Sequence, residues 1–405
     1  MQKSERIKTN KKRWLLLFSS IVLAVGIIFF IITSIKQKKK TELFNQATPS
    51  LKNSSENSSE KISAKKNTAP FFISAWLPYW EKTNGAILFE KNANLFQEIN
   101  PFAFGVNSDG SIKDILKIEN APWPELKSKA KEAQTKIIPT ILWADAESMH
   151  KIFSNQALEN KHINAIIEML SKNNFSGVDI DYEGKSISDK DLFTNFLKNL
   201  DAKLKIENKS LSCTIEARTQ DDAPPGLSDT RAMSFANDFN ALNSFCDTVR
   251  LMAYDEVFQI HRSNVFESAT ATPSAPNADN IWVEEIIKYA LKFIPPEKII
   301  LGVPTYGWEF QYEKSINGYR YTRVKSVSYP KALEKARLAN TTAVRDSGGE
   351  LFFTYKNLGK NYIITFSDAE SVRQKIELTK KFNLKGINLF KLDGLFDPQI
   401  FTILQ

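Results

Sequence analysis

The chain is 405 residues long, 42% hydrophobic and 25% charged, which is ordinary for a globular protein and enough to bury one large core or two average ones. Its formal net charge of +8 would point to an anionic partner if it were spread evenly, but residues 1–70 hold 14 Lys and Arg against 4 Asp and Glu, leaving 40 against 42 for the rest. The basic surplus belongs to the N-terminal leader, so nucleic-acid binding by the main domain has little support.

From Trp14 to Ile35 runs "WLLLFSSIVLAVGIIFFIITSI", about 22 residues without a charge, which as a helix spans the hydrocarbon of a bilayer. Basic residues from Lys3 to Arg13 precede it and Lys36 to Lys40 follow, a slight bias toward an inside N-terminus. No small-x-small cleavage pattern follows directly. Residues 14–35 are therefore expected to be a retained single-pass anchor in the cell membrane, with 1–13 as a basic cytoplasmic N-terminus and the C-terminal domain outside. Secretion after removal of a signal segment is the alternative. Residues 36–70, rich in Ser, Asn, Lys and Glu, read as a flexible linker.

Beyond residue 70, short β-type runs alternate with amphipathic helical runs. The strand candidates are "FFISAWL" from Phe71, "PFAFGV" from Pro101, "KIIPTIL" from Lys136, "GVDIDYE" from Gly177, "LSCTIEA" from Leu211, "TVRLMAY" from Thr248, "KIILGVP" from Lys298 and "GINLFKL" from Gly386. Between them, Ile163, Ile166, Ile167 and Leu170 fall on one helical face, as do Trp282, Ile286, Tyr289 and Phe293. Eight strands with crossovers over 71–405 predict an α/β fold, a (β/α)8 TIM barrel. About 75 residues separate the last two strands and include the strand-like "NGYRYTR", "LFFTYK" and "NYIITF" and the helical "YPKALEKARLAN". Residues 309–365 therefore read as a small α+β insertion between strands 7 and 8, beside the barrel mouth. Cys213 and Cys246 sit in apolar surroundings and are expected as buried free thiols, a bridge requiring Cα atoms within about 7 Å.

The stretch "FSGVDIDYEG" carries Asp179, Asp181 and Glu183 at alternate positions, so the three acids share one strand face while Val178, Ile180 and Tyr182 share the other. Inward acids near the C-terminal end of a barrel strand meet the active-site cavity, Glu183 highest and Asp179 deepest. Three carboxylates this close cannot all stay ionised, and a proton on Glu183 would make it a general acid at neutral pH. Read alone, such a run is also compatible with a divalent-metal site or an exposed edge strand. His150, His162 and His261 form no zinc pattern, and no metal or cofactor is expected.

"SGVDIDYE" resembles the DGxDxDxE signature of glycoside hydrolase family 18, the chitinase family, with Ser176 at its first position. "LMAYD", with Met252, Tyr254 and Asp255, resembles that family's MxYD, and "NPFAFGVNSDGSI" and "IILGVPTYGWEF" resemble its second- and seventh-strand regions. The C-terminal part is similar to the bacterial branch containing spore-germination and cortex-lytic glycosidases. The resemblance implies a retaining mechanism in which the substrate's own 2-acetamido oxygen attacks the anomeric carbon. Glu183 would be the acid and base, Asp181 would orient the acetamido group, Asp179 would hold Asp181, and Tyr254 would donate its hydroxyl to the acetamido carbonyl. Two departures stand out: "PTILWAD" replaces the usual third-strand SxGG, and Phe390 occupies the place of the usual floor tryptophan.

Outside the catalytic set, Asp255, Met252, Trp80, Trp308 and Phe390 are candidate substrate contacts, although turn closure for Asp255 and packing for the others compete with that reading. Trp76, Tyr79 and Trp143 are further aromatics that usually pack. Glu216 is expected to pair with Arg218 or Arg250. The expectation is a monomeric glycosidase cleaving β-linked N-acetylglucosamine polymers, chitin-like or peptidoglycan, with a non-catalytic carbohydrate-binding protein on the same barrel as its rival.

Overall fold

The computed structural model describes residues 71–223, 233–261 and 263–405. The expected anchor at 14–35 and linker at 36–70 lie outside the described residues, and among those described no helix is long and apolar enough to cross a membrane.

Eight parallel strands form the barrel: β1 (Phe72–Leu77), β2 (Glu98–Val106), β3 (Thr140–Trp143), β4 (Gly177–Tyr182), β5 (Ser210–Glu216), β6 (Thr248–Met252), β7 (Ile299–Pro304) and β8 (Gly386–Phe390). They pair in chain order, and β8 returns to β1 with Gly386 opposite Phe72. They coincide with the eight β-type runs expected from the alternating pattern of the sequence. Strand β3 is shorter than expected because Pro139 has no N–H to give the ladder. Lys136–Ile137 pairs separately with β2, and the Pro139 carbonyl accepts from the Asp179 N–H.

The strands are buried on both faces, but the faces differ in chemistry. Outward residues such as Val178, Ile180, Leu211, Ile215, Leu251 and Leu301 pack beneath the surrounding helices in one continuous apolar core. Each fully buried Leu, Ile or Val there contributes about 1.5–3 kcal/mol. Among the covering helices, Gln156–Lys172 starts at Asn155, whose side chain accepts from Ala157 and Leu158 N–H, and turns Ile163, Ile166 and Leu170 onto the barrel. The inward face is polar: Ser74, Asn100, Thr140, Asp179, Asp181, Ser212, Thr214, Glu216, Arg250 and Asn388 are all buried.

Two expectations change here. Cys213 is not a free thiol. It lies on the outward face of β5 and is joined to Cys246, which follows helix Phe239–Phe245, with the Cα atoms 6.1 Å apart. Sequence context could show only that both sites are apolar, whereas the bridge depends on β5 and that helix end meeting. The insertion is also larger than 309–365. Its antiparallel sheet runs from Tyr306–Ser315 through Gly318–Ser328, Val344–Arg345 and Leu351–Asn357 to Lys360–Phe366, with helix Tyr329–Leu338 packed on it. A sixth strand, Val265–Ser268, joins from the β6–β7 connection. Phe266 there stacks on Tyr321 at 4.8 Å, a long-range pairing invisible to local pattern.

Candidate active site

The site is built in layers along the barrel axis. Lowest is Arg250, fully buried, whose guanidinium donates to Ser212 Oγ at 3.0 Å, to Ser74 Oγ at 3.1 Å and to the Glu98 carboxylate. Its Nε also lies 3.6 Å from Asp179 Oδ1. Above it, Asp179 accepts from the hydroxyls of Thr140 and Thr214, both at 2.9 Å, and from Trp76 Nε1 at 3.4 Å. The deepest acid is thus clamped from β1, β3, β5 and β6 at once.

Asp181 comes next, buried, with Oδ1 hydrogen-bonded to no protein group. Burial, and then the negative charges of Glu183, Asp179 and Glu216, push its carboxyl well above the usual range, against the pull of Lys185. Depth is the physical cause: Asp181 is inside the barrel, while Glu183, one residue past β4, is half-buried at the rim with its N–H bonded to the Trp143 carbonyl at 2.8 Å.

Strand β4 is held rigidly from outside. Tyr182 meets His162 Nε2 at 2.7 Å, and His162 Nδ1 lies 2.6 Å from the Gly110 carbonyl. Burial lowers the His162 pKa to about 4, so the ring is neutral: Nδ1 donates to Gly110, and Nε2 accepts from Tyr182.

Across the cleft, "LMAYD" ends β6. Tyr254 is buried and stacks on Phe390 at 5.0 Å with 9° between the rings, while Trp76 meets both edge-on. Burial and the charges of Asp181, Asp255 and Glu183 raise its pKa well above the ordinary phenol value, so its hydroxyl keeps its proton. Gly302 makes room, since a Cβ there would stand 2.5 Å from the Leu251 carbonyl and 3.0 Å from the Tyr254 ring. Gln259 fixes the loop by donating to the carbonyls of Met252 at 2.7 Å and Tyr254 at 2.6 Å. Asp255, in the left-handed region with φ 57°, accepts from Trp308 Nε1 at 2.7 Å and from the Tyr306 hydroxyl. Burial raises its pKa, although both bonds and Arg323 oppose the rise.

Glu183, Met252, Tyr254 and Asp255 line one cleft of about 330 Å³, together with Glu216, Met233, Phe258, Gln259 and Arg323. Met252 and Phe390 belong to the apolar floor with Trp76, Phe102 and Tyr254. Trp308 stands at the side, edge-on to Phe258 at 4.7 Å. Trp80 does not line this cleft: it is half exposed in a short turn after β1, edge-on to Tyr79 and beneath Lys391. Trp143 points outward, packed edge-on against Tyr182 at 5.2 Å, and is no sugar platform.

Glu216 departs from its expected pairing with Arg218 or Arg250. It accepts from Asn237 at 2.8 Å and from the Gly184 N–H at 3.2 Å, with Lys185 Nζ at 3.9 Å. Burial alone would raise it, but Lys185 and these donors outweigh burial and hold it below its usual value. Its parity with Thr214 and Ser212 on β5 was the available signal. Arg323 had none, since it belongs to the insertion, whereas Phe258 stands in the helix Glu256–His261 that directly follows the motif, and only its nearness to Asp255 could have marked it. Among the described residues no group of acids, histidines or cysteines could hold a metal ion.

Behind this wall lies a second buried polar cluster. Glu350 accepts from the N–H groups of Asn277 and Ala278, both at 2.8 Å, and Asn277 Oδ1 accepts from the Asp255 N–H at 3.0 Å. Glu256 accepts from the Asp279 N–H at 2.8 Å, and burial raises its pKa to about 8, assisted by the charges of Glu350 and Asp279.

The chain is 24% identical to the cortical fragment-lytic enzyme of Bacillus anthracis over 330 residues, 78% of this chain and 70% of that protein. It is 26% identical over 256 residues to YdhD of Bacillus subtilis (strain 168), a candidate sporulation-specific glycosylase, and covers 55% of that protein's length. Among solved structures, the spore cortex-lytic enzyme SleL of Bacillus megaterium QM B1551 superposes with a TM-score of 0.67 at 22% identity, covering 84% of this chain and 74% of that one, a likeness of fold. The model of glycosyl hydrolases family 18 matches residues 72–394, which is most of the chain, and the chain belongs to that family.

Proposed function

We propose that this protein hydrolyses β-linked N-acetylglucosamine-containing glycans by a substrate-assisted retaining mechanism. The observation that carries the reading is the ascending row of Asp179, Asp181 and Glu183 on one strand face, with Asp181 buried and its carboxyl pushed up by burial and neighbouring charge, and Glu183 and the buried Tyr254 lining the same cleft. When a sugar binds, its acetamido N–H becomes a donor to Asp181, which lets the shared proton pass to Glu183. Glu183 then gives that proton to the glycosidic oxygen as the bond to the anomeric carbon breaks. The acetamido oxygen forms a new bond to that carbon, and Tyr254 donates to this oxygen until the attack is complete. Asp181 balances the positive charge of the resulting ring. In the second half, Glu183 takes a proton from water, whose oxygen replaces the acetamido oxygen on carbon. No cofactor enters either half.

Asp179 acts by holding Asp181. Phe390 and Met252 supply an apolar floor, Asp255 and Trp308 one wall, and Trp80 an outer aromatic surface for a longer chain. Peptidoglycan is the preferred polymer, supported by the relatives' names and by the anchor and linker expected from residues 14–70. The Cys213–Cys246 disulfide supports an oxidising location outside the cytoplasm. Glu183→Gln tests the reading. Hydrolysis of N-acetylglucosamine oligomers and of purified sacculi should fall about 10²–10⁴-fold with binding retained. Unchanged turnover, or binding without turnover in the parent protein, would favour a carbohydrate-binding role instead.

A further inference from the structure

Two hairpins of the insertion end in apolar residues with nothing to pack against. Ile316, between Ser315 and Gly318, is 99% exposed, and Leu358, between Asn357 and Lys360, is 93% exposed. Strand pairing puts both tips on one edge of the sheet. Tyr312 lies opposite Asn361, so the turn after Ser315 and the turn before Lys360 leave the sheet at the same end. That end is opposite the one where Tyr306 and Phe366 connect to the barrel.

The residues around the tips have a definite chemistry. Lys314, Arg320, Lys356 and Lys360 are all exposed there, against two exposed acids, Glu313 and Glu267, both of which lie opposite Arg320 on its neighbouring strands. One step further back, Tyr312 and Tyr319 meet at 5.7 Å, and Tyr355 and Tyr362 stack at 5.1 Å, each only half-buried. Leu358 also has φ 46° and Gly359 φ 77°, a turn geometry for which Asn-Gly is the easy solution and Leu a poor one. A leucine placed there, in water and against its backbone preference, is not explained by the fold.

Apolar tips, a basic collar and a tyrosine belt in that order are what a bilayer with anionic headgroups recognises. Isoleucine and leucine enter the acyl boundary, lysine and arginine meet the phosphates, and tyrosine sits at headgroup depth. We infer that this edge of the insertion is a membrane-docking surface for anionic lipid. A soluble polyanion would use the same cations but has no apolar phase to receive Ile316 and Leu358. Docking there would seat the barrel against the surface, which a flexible linker alone cannot do.

The full chain has only two cysteines, both in the disulfide, so Ile316→Cys and Leu358→Cys each offer one free thiol for an environment-sensitive fluorophore, with exposed Ile281→Cys as the reference. The labelled full-length proteins are mixed with vesicles of phosphatidylcholine alone or with phosphatidylglycerol. Labels at 316 and 358 should shift to the blue and be quenched by spin-labelled lipid when phosphatidylglycerol is present, and the label at 281 should not. The shift should weaken at about 1 M salt, where the Debye length is about 3 Å, and be lost when Lys314, Arg320, Lys356 and Lys360 become Glu. Water-like emission from both tips in both vesicles overturns the inference. So does an equal response to soluble poly(glycerol phosphate), which would make the edge a polyanion site. The probes report the tips themselves, so neither result depends on the anchor or the glycosidase reading.

Discussion

Replacing Glu256 by Gln should make the protein more stable, and increasingly so as the pH rises. Glu256 is 8% exposed, accepts one backbone bond from Asp279, and shares its surroundings with Glu350 and Asp279, against which the buried Lys375 is the nearby compensating charge. Its pKa is raised from 4.5 to about 8. Below 4.5 the side chain is neutral in the folded and unfolded chains alike and costs nothing. Between 4.5 and 8 the unfolded chain loses the proton while the folded one keeps it, so stability is lost as pH rises, and the loss levels off above 8. At about 1.4 kcal/mol per pH unit the full penalty is about 5 kcal/mol, with about 3 kcal/mol already present at pH 7. Gln keeps an acceptor for the Asp279 N–H and has no charge to desolvate. With an unfolding entropy of about 2.1 cal/mol/K per residue over roughly 335 residues, the variant should melt about 7 °C above the parent at pH 9. Urea and thermal unfolding at pH 5, 7 and 9 measure this. A difference that does not grow with pH, or a variant weaker than the parent at every pH, would refute the reasoning.

Tyr254→Phe keeps the stack on Phe390 and removes only the hydroxyl, so kcat on N-acetylglucosamine oligomers should fall about 10²–10³-fold with the melting temperature nearly unchanged. Asp181 holds a proton that is lost as pH rises through its elevated pKa, so kcat/KM should decline on the alkaline side. Glu216→Gln removes one of the charges that raise Asp181 and leaves the opposing Lys185 in place, which should move that decline to lower pH in a pH–rate profile. Cys213 and Cys246 are 33 residues apart, so opening their bridge, by reduction or by paired Ala substitutions, should cost about 4 kcal/mol in urea unfolding of the full chain.

The placement of the three acids on one strand face is legible in the sequence because strand chemistry is local. Alternation alone assigns Asp179, Asp181 and Glu183 to one face of β4, and order along the strand sets their depth. The eight barrel strands were legible because each is a short apolar run between helical periodicities, and Tyr254 because it follows β6 in a specific motif. How strongly Asp181 is pushed toward its protonated form was not legible, because it follows from the burial of that side chain, a property of the closed barrel.

The barrel strands and the face shared by the three acids are legible in local pattern, because each depends on neighbours within a few residues. The Cys213–Cys246 bridge, the turn of Glu216 toward Lys185, the recruitment of Val265–Ser268 into the insertion and the shared edge of Ile316 and Leu358 arise only on folding. Each of these joins residues far apart in the chain, and such pairings are set by which surfaces packing brings together, a quantity no local pattern contains.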